Sequence, residues 1–196
     1  MKLFVARHGE TAYNRQKKFY GSDDVPLDSQ GEKQAQMLAR KLTDVPLTQL
    51  VRSQMRRTEQ TLRPVAIQHP AVPVTVYSEL NEKGFGNWEG LDADEIQAKD
   101  PLNWQKWLNE PLTFTPPTVE SFAVFKRRVA AGMARVLANA QPNDQILLVA
   151  HLGTLRVMHQ LLCSPKTNFW DIHFDAGTYS YYEVIGKSIV LKKLNV

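Results

Sequence analysis

Cysteine is almost absent from this 196-residue chain, which contains only one, Cys163. A single thiol cannot form an internal disulfide bond, so the sequence fits a reducing cytoplasm, where we expect the protein to act. Cys163 directly follows Leu161 and Leu162. This apolar run predicts that the thiol packs in the core and is not a nucleophile.

Long apolar runs and a strong charge bias are also missing. No stretch approaches the roughly 20 residues of a membrane-spanning helix, and residues 1–9 lack the layout of a signal peptide. The net charge is +4, and the basic residues are scattered rather than interleaved with aromatic ones. This pattern argues against a membrane or nucleic-acid partner and suits a small anionic substrate. The sequence leaves the oligomeric state, monomer or homodimer, open.

Short apolar segments alternate with helical patterns along most of the chain. Strands are predicted at 2–6, 45–51, 72–77, 145–150, 179–185 and 188–194, the last two joined by a hairpin turn at Gly186-Lys187. A loop is predicted at 12–24, and a first helix is predicted after Asp28 or Ser29. A second helix is predicted from Gln54 to Pro64 or shortly after, with Ser53 as its N-cap. Two further helices are predicted at 118–140 and 154–162. The alternation indicates an α/β fold: a three-layer α/β/α sandwich with a mostly parallel sheet, in one domain spanning residues 1–196.

The regular pattern breaks after the third predicted strand. Glycines and short helical pieces around 93–99 and 102–108 are followed by a proline-rich stretch. We interpret residues 83–120 as an inserted helical lid over one end of the sheet. Trp104, Trp107 and Phe114 are expected to form its small core.

Two apolar strands, far apart in sequence, each lead into a histidine. Arg7 and His8 follow residues 2–6, and His151 follows residues 145–150. A glycine comes soon after each histidine and lets the backbone turn sharply. Because the carboxyl ends of parallel strands face the same crevice, we expect these side chains to meet there.

Other polar residues follow the second and third strands. Arg57 lies on the first turns of the helix after the second strand, where a helix N-terminus favours an anion. Glu82 follows the third strand. From spacing alone, Arg56 is an alternative to Arg57, and Glu79 is an alternative to Glu82. Glu82 could also be a surface carboxylate.

The order of these motifs resembles the histidine phosphatase superfamily, also called the phosphoglycerate-mutase-like family. The resemblance covers nearly the whole chain and identifies Arg57 rather than Arg56. It implies a single histidine-phosphatase domain. The matching stretches are Arg7-His8-Gly9-Glu10-Thr11 with Asn14, Gly21 through Pro26-Leu27 with Gly31 and Gln34-Ala35, residues 53–61, Leu80-Asn81-Glu82 continuing to Gly90, and His151-Leu152-Gly153.

The resemblance implies a role for each of the matched polar residues. His8 is the expected nucleophile, forming a phosphohistidine, and it must be neutral to attack. Arg7 and Arg57 would bind phosphoryl oxygens, and His151, protonated once phosphate is bound, would stabilise the transferring group. Glu82 is implied as the general acid and later the base for water. Asn14, Gly21 and Leu152 are the remaining candidate substrate-binding residues.

No metal and no cofactor are expected. A histidine pair such as His8 and His151 could hold a metal, but neither has a carboxylate or cysteine at ligand spacing. Positive charge at the site would come from the arginines instead.

Several features bear on the branch of the superfamily. Residues 82–90 resemble its phosphatases, whereas cofactor-dependent mutases carry a longer insertion with a Glu-Arg-His-Tyr-Gly run there. Residues 104–121 and 169–177 look like bacterial alpha-ribazole phosphatases, which act in cobalamin assembly, so alpha-ribazole 5'-phosphate is a candidate substrate. Val119 and Leu152 stand where many relatives have glycine. We expect these two residues to change the shape of the pocket on the side that binds the leaving group. A phosphoglycerate mutase and a non-catalytic phosphate-binding module are the alternatives.

Overall fold

The computed structural model describes residues 1–163, 168–186 and 188–196. Its strands are β1 (Lys2–Arg7), β2 (Gln49–Arg52), β3 (Val74–Val76), β4 (Gln145–Ala150), β5 (Ser180–Ile185) and β6 (Ser188–Lys193). Its helices are α1 (Ala12–Arg15), α2 (Ser29–Leu42), α3 (Arg56–Gln68), α4 (Ala93–Lys99), α5 (Pro101–Asn109), α6 (Phe122–Ala138) and α7 (Leu152–Leu162).

The strands form one sheet in the order β3-β2-β4-β1-β5-β6. Strands β1 to β4 pair in parallel, and β5 pairs antiparallel to both β1 and β6. The predicted mostly parallel sheet is therefore confirmed as a mixed six-stranded sheet. The predicted hairpin pairs β5 with β6, but Lys187 of its turn lies outside the described residues.

The core occupies both faces of the central strands. Leu3 and Val5 of β1 pack with α6 and α7, whereas Phe4 and Ala6 pack with α2 and α3. Successive side chains of a strand point to opposite faces, so continuous apolar strands such as β1 and β4 require helices on both sides. The predicted α/β sandwich layers follow from this alternation.

The predictions for residues 12–15 and for Ser53 differ from the structure. Residues 12–15 form helix α1 rather than loop, because Thr11 and Asn14 make reciprocal N-terminal hydrogen bonds. Helix α3 begins at Arg56 with Met55 as N-cap, so Ser53 does not cap it. The helix ends at Gln68, shortly after Pro64 as predicted, and the buried Leu62 and Val65 hold it against the sheet.

Residues 83–120 contain α4, α5 and a compact aromatic cluster. Trp88, Ile96, Trp104 and Val119 are buried together, and Trp107 packs against them. Phe114 was expected in this cluster but is only half-buried and lies against Lys106 instead. Cys163 packs against the core as predicted, where burial raises the pKa of its thiol.

Candidate active site

The two strand-end histidines lie side by side. Arg7 pairs with Ala150 in the β1–β4 register, and the His8 backbone N–H donates to the Ala150 carbonyl at 2.9 Å. The centroids of the His8 and His151 rings are 5.1 Å apart, and both side chains are buried. The separation of the rings is therefore close to the spacing between adjacent strands.

One hydrogen bond fixes the proton of His8. Its Nδ1 lies 2.7 Å from the carbonyl oxygen of Gly9, which can only accept. Nδ1 therefore carries the proton, and Nε2 of the neutral ring keeps a free lone pair. Burial, and then the positive charges of Arg57 and Arg7, hold the pKa of His8 well below its ordinary value. The resemblance required a neutral His8, and burial is the main reason why the ring is neutral.

His151 is held in the opposite tautomer. Arg57 Nε, which can only donate, points at His151 Nδ1 at 3.2 Å. The ring proton is therefore on Nε2, which donates to Ser53 Oγ at 2.8 Å. Burial, followed by the charge of Arg57, holds the pKa of His151 well below its ordinary value. The His151 ring is therefore neutral in this structure. The protonated His151 expected from the sequence belongs to the phosphate-bound state.

Arg57 is fully buried at the start of α3. Its two terminal nitrogens donate to the carbonyl oxygens of Asp23 at 2.9 Å and Gly21 at 3.0 Å, and its guanidinium lies 4.7 Å from the centre of the Tyr20 ring. Each terminal nitrogen retains a second N–H after these bonds. The neighbouring Arg56 is exposed, so the structure distinguishes the two arginines.

Arg7 lines the same cavity as His8 and Arg57. Its Nε is buried, and no group in the described part of the chain accepts a hydrogen bond from it. A buried, unpaired arginine donor beside a neutral histidine is suited to a phosphoryl oxygen.

Asn14 contributes through its amide nitrogen. Its Oδ1 accepts from Thr11 Oγ1 at 3.1 Å and from Tyr20 Oη at 2.9 Å. The nitrogen is therefore the atom that can donate into the cavity that Asn14 lines. Sequence reasoning missed Tyr20, which connects this amide to Arg57.

Gly21 supports Arg57 and is not among the described residues lining that cavity. Its N–H donates to Glu89, and a Cβ at this position would run into the Lys83 backbone. The carboxylate of Glu89 accepts four backbone N–H groups, three from residues 21–23 and one from Phe85. Glu89 was part of the matched motif, but its spacing gave no signal of this role.

Glu82 lies at the N-terminus of α7. Its Oε2 accepts from the Gly153 N–H at 2.8 Å, and its Oε1 accepts from the Lys83 N–H at 2.9 Å. A Cβ on Gly153 would approach Glu82 Oε1 to 2.5 Å, so the carboxylate occupies space that only a glycine leaves. The alternative, Glu79, is instead paired with Arg135.

Arg128, which the sequence gave no reason to select, holds the chain around Glu82. From α6 it donates to the carbonyl oxygens of Glu79 at 3.0 Å, Asn81 at 2.6 Å and Glu82 at 2.7 Å. It also makes a two-point ion pair with Glu120. This arrangement fixes the backbone that carries the Glu82 carboxylate.

The cavity has a volume of about 360 Å³. One end contains Arg7, His8, Arg57 and Glu82. Its remaining wall is rich in aromatic and apolar side chains and includes Leu152, with contributors such as Phe85, Trp107, Phe122, Phe169 and Trp170. Such a cavity suits a phosphate group attached to a mainly apolar leaving group.

No group of three or more His, Cys, Asp and Glu side chains in ranges 1–163, 168–186 and 188–196 could hold a metal ion. Within the same ranges, no helix has the length and apolar content needed to cross a membrane.

Comparison with known proteins decides the family. The family model described as "Histidine phosphatase superfamily (branch 1)" matches residues 3–196. The chain belongs to this superfamily. It is 32% identical over 196 residues to the adenosylcobalamin/alpha-ribazole phosphatase of Escherichia coli, covering 100% of this chain and 96% of that protein.

This histidine phosphatase is also similar to a solved structure and to a second kind of phosphatase. The crystal structure of the alpha-ribazole phosphatase from Shigella flexneri superimposes with a TM-score of 0.93 at 32% identity, covering 100% of this chain and 96% of that one. Phosphoserine phosphatase 1 of Hydrogenobacter thermophilus is 28% identical, covering 100% of this chain and 92% of that protein. The chain is thus a phosphatase of small phosphorylated metabolites.

Proposed function

We propose that this phosphatase hydrolyses phosphomonoesters through a phosphohistidine on His8 Nε2. The observation that supports this most directly is the His8 Nδ1 hydrogen bond to the Gly9 carbonyl, which leaves Nε2 unprotonated. The ring lies in a cavity that Arg7, Arg57 and Glu82 also line. A neutral nucleophile and fixed positive charges are what transfer of a phosphoryl group requires.

In the first step, His8 Nε2 attacks phosphorus while the bond from phosphorus to the leaving oxygen breaks. The leaving oxygen takes a proton from the Glu82 carboxyl group and departs as the free alcohol. Arg7, Arg57 and the Asn14 amide nitrogen supply donors for the phosphoryl oxygens. Such donors stabilise the transition state where the negative charge is spread over those oxygens.

In the second step, water attacks the phosphohistidine. Glu82, now a carboxylate, accepts a proton from that water, and the N–P bond breaks to release inorganic phosphate and the neutral His8. The same carboxyl group thereby returns to its starting state. The backbone N–H groups of Lys83 and Gly153 keep its oxygens in place through both steps.

His151 serves this cycle as a positioning and charge-stabilising residue. Its Nδ1 accepts from Arg57 Nε and therefore orients the guanidinium that faces the phosphoryl group. Negative charge arriving with a phosphate would favour protonation of the ring, as would any loss of the Arg57 contact. His151 then adds a positive charge beside His8.

For the substrate, we propose alpha-ribazole 5'-phosphate, the compound implied by the names of the Escherichia coli and Shigella flexneri proteins. The aromatic wall of the cavity supports this assignment, because ring systems stack well on aromatic side chains. Leu152 and Val119 contribute to this side of the molecule: Leu152 lines the cavity, and Val119 packs in the aromatic cluster of residues 83–120.

We further propose that residues 83–120 form a lid within a single domain spanning residues 1–196. The reaction is assigned to the cytoplasm, as the single cysteine suggests, and to small substrates rather than nucleic acid, as the scattered basic residues suggest. Whether the protein acts as a monomer or a homodimer is decided by measuring its mass in solution.

The nucleophile is tested by His8→Ala. Turnover of a panel of phosphomonoesters that includes alpha-ribazole 5'-phosphate should vanish, because no other side chain in the described part of the chain is placed to attack phosphorus. Rapid quench of the unmodified enzyme with ³²P-labelled substrate should trap an acid-labile, base-stable phosphoenzyme. His69→Ala, a histidine outside the cavity, is the matched control. More than a few per cent of residual activity in His8→Ala would remove His8 from the nucleophilic role.

A further inference from the structure

Three cations among the described residues line the cavity without a part in the phosphoryl-transfer steps, namely Lys18, Lys83 and Arg156. Lys18 lies over the Tyr13 ring, and Arg156 donates to the Ile172 carbonyl and lies over the Phe169 and Trp170 rings. Lys83 follows Glu82 directly and lines the cavity. Its ammonium nitrogen is buried and, among the described residues, has no hydrogen-bond partner. It lies 4.5 Å from the centre of the Phe85 ring, which fixes its position without supplying an acceptor oxygen. A buried ammonium group without an acceptor destabilises the folded protein.

The neighbouring carboxylates do not account for this lysine. Glu82, Glu89 and Glu120 are the acidic groups whose charges act on it. Each is already supplied with donors: Glu82 by two backbone N–H groups, Glu89 by four, and Glu120 by Arg128 and the Gly84 N–H. None of the three lies within ion-pair distance of Lys83 among the described residues. The ammonium group is therefore available to an acceptor that arrives with a ligand.

The position of Lys83 indicates that its ammonium group contacts the leaving group. In the proposed mechanism Glu82 protonates the leaving oxygen, so the leaving group lies on the Glu82 side of phosphorus. The Lys83 backbone N–H contacts the Glu82 carboxylate at 2.9 Å, and the Lys83 side chain continues from there along the cavity wall. The phosphate end has its own donors in Arg7 and Arg57.

We propose that Lys83 is a specificity residue that binds a carboxylate on the leaving group. This inference rests on the proposed function and adds a substrate class to it: phosphomonoesters whose alcohol carries an acidic group beside an apolar or aromatic part. One ammonium group matches the single charge of a carboxylate, whereas a second phosphate dianion is usually bound by several donors. Alpha-ribazole 5'-phosphate, whose alcohol carries no acidic group, would be bound without this contact, so the carboxylate-bearing esters are a second substrate class beside it.

Matched aryl esters test this assignment. The 3- and 4-carboxyphenyl phosphates are each compared with their carbamoyl analogues, which have the same shape without the charge. The ratio of kcat/KM for acid over amide should fall by about tenfold or more in Lys83→Met, the usual value of a hydrogen bond to a charged group. The kcat/KM of the amides should hardly change. Methionine keeps the length of the side chain and the backbone N–H to Glu82.

Lys106→Met is the control variant. Lys106 also lies over a phenylalanine ring, that of Phe114 at 5.8 Å, but is not among the described residues that line the cavity. Its acid-to-amide ratio should equal that of the unmodified enzyme. An unchanged ratio in Lys83→Met, or an equal loss on acids and amides, would overturn the proposal.

Binding measurements distinguish a failure of the Lys83 site from a failure of the proposed mechanism. Calorimetry of the same ester pairs with His8→Ala, and with His8→Ala combined with Lys83→Met, measures the carboxylate preference without turnover. If the unmodified protein hydrolyses no ester but His8→Ala prefers the acids and the double variant does not, the mechanism fails and the Lys83 site stands. If the esters are hydrolysed and neither measurement shows a preference that depends on Lys83, only the Lys83 site fails.

Discussion

Gly153→Ala should damage catalysis while leaving the fold intact. The new Cβ would lie 2.5 Å from Glu82 Oε1 and 3.1 Å from Glu82 Cδ. Restoring an ordinary contact moves the carboxylate by about 1 Å, and a misplacement of that size can cost about 10²-fold in rate. The displaced atom is the end of a flexible side chain, and Gly153 lies in helix α7. Alanine favours a helix over glycine by roughly 0.5–1 kcal/mol, so Tm should stay constant or rise.

The assay compares leaving groups that need an acid with those that do not. For an alkyl or sugar phosphate, the pre-steady-state burst rate of Gly153→Ala should fall by about 10²-fold, within the range of 10²–10⁴ for losing a general acid. For p-nitrophenyl phosphate, whose phenolate leaves unaided, the burst rate should fall much less. Glu82→Gln should show the same selectivity.

The double variant provides the control. If Gly153→Ala acts by moving the Glu82 carboxylate, it should cost little more once Glu82→Gln has removed the proton, so the two losses should not add. The reasoning is refuted by equal losses on aryl and alkyl esters, by additive losses in the double variant, or by a lowered Tm that explains the loss of activity.

Three further predictions concern protons, positioning and metals. His8 and His151 have pKa values well below their ordinary one, so the unfolded chain binds more protons below pH 6.5. The free energy of unfolding should therefore fall as the pH drops, by up to about 1.4 kcal/mol per pH unit for each histidine, until the pH passes their folded pKa values. Urea titrations should show a shallower decline in His8→Asn, and an identical slope would contradict the buried neutral ring. Arg128→Met removes the hydrogen bonds to the backbone around Glu82, so kcat on alkyl esters should fall about 10- to 100-fold; an unchanged burst rate would show that Glu82 needs no such support. Exhaustive chelation should leave the rate unchanged, because Arg7 and Arg57 supply the charge that a metal supplies elsewhere; loss on chelation with recovery on adding Zn²⁺ or Mg²⁺ would mean that the site holds a metal.

The histidine pair was predictable from sequence because it depends on backbone rules. Apolar strands of unambiguous pattern end immediately before His8 and His151, and parallel pairing brings such ends together. The positions of Arg57 and Glu82 needed the family resemblance as well, since several residues nearby have the same charge.

The supporting contacts were not predictable, because they join side chains to backbone groups from distant segments. Ser53 looked like an N-cap by position, yet its hydroxyl bonds to His151, 98 residues away. Arg128 and Glu89 likewise bind backbone groups far along the chain. The spacing of apolar residues, which predicts strands and helices, gives no information about such contacts.

The two halves of the cavity come from different parts of the fold, and this affects how the substrate specificity of such an enzyme can evolve. His8 and His151 are joined through adjacent strands in the middle of the sheet, so their geometry belongs to the most protected part of the fold. Part of the wall around the leaving group, including Phe85, Trp107 and Leu112, instead comes from residues 83–120, which contribute no strand to that sheet. Substitutions and length changes in this segment can therefore create new specificities in descendants of the gene without altering the phosphoryl-transfer chemistry.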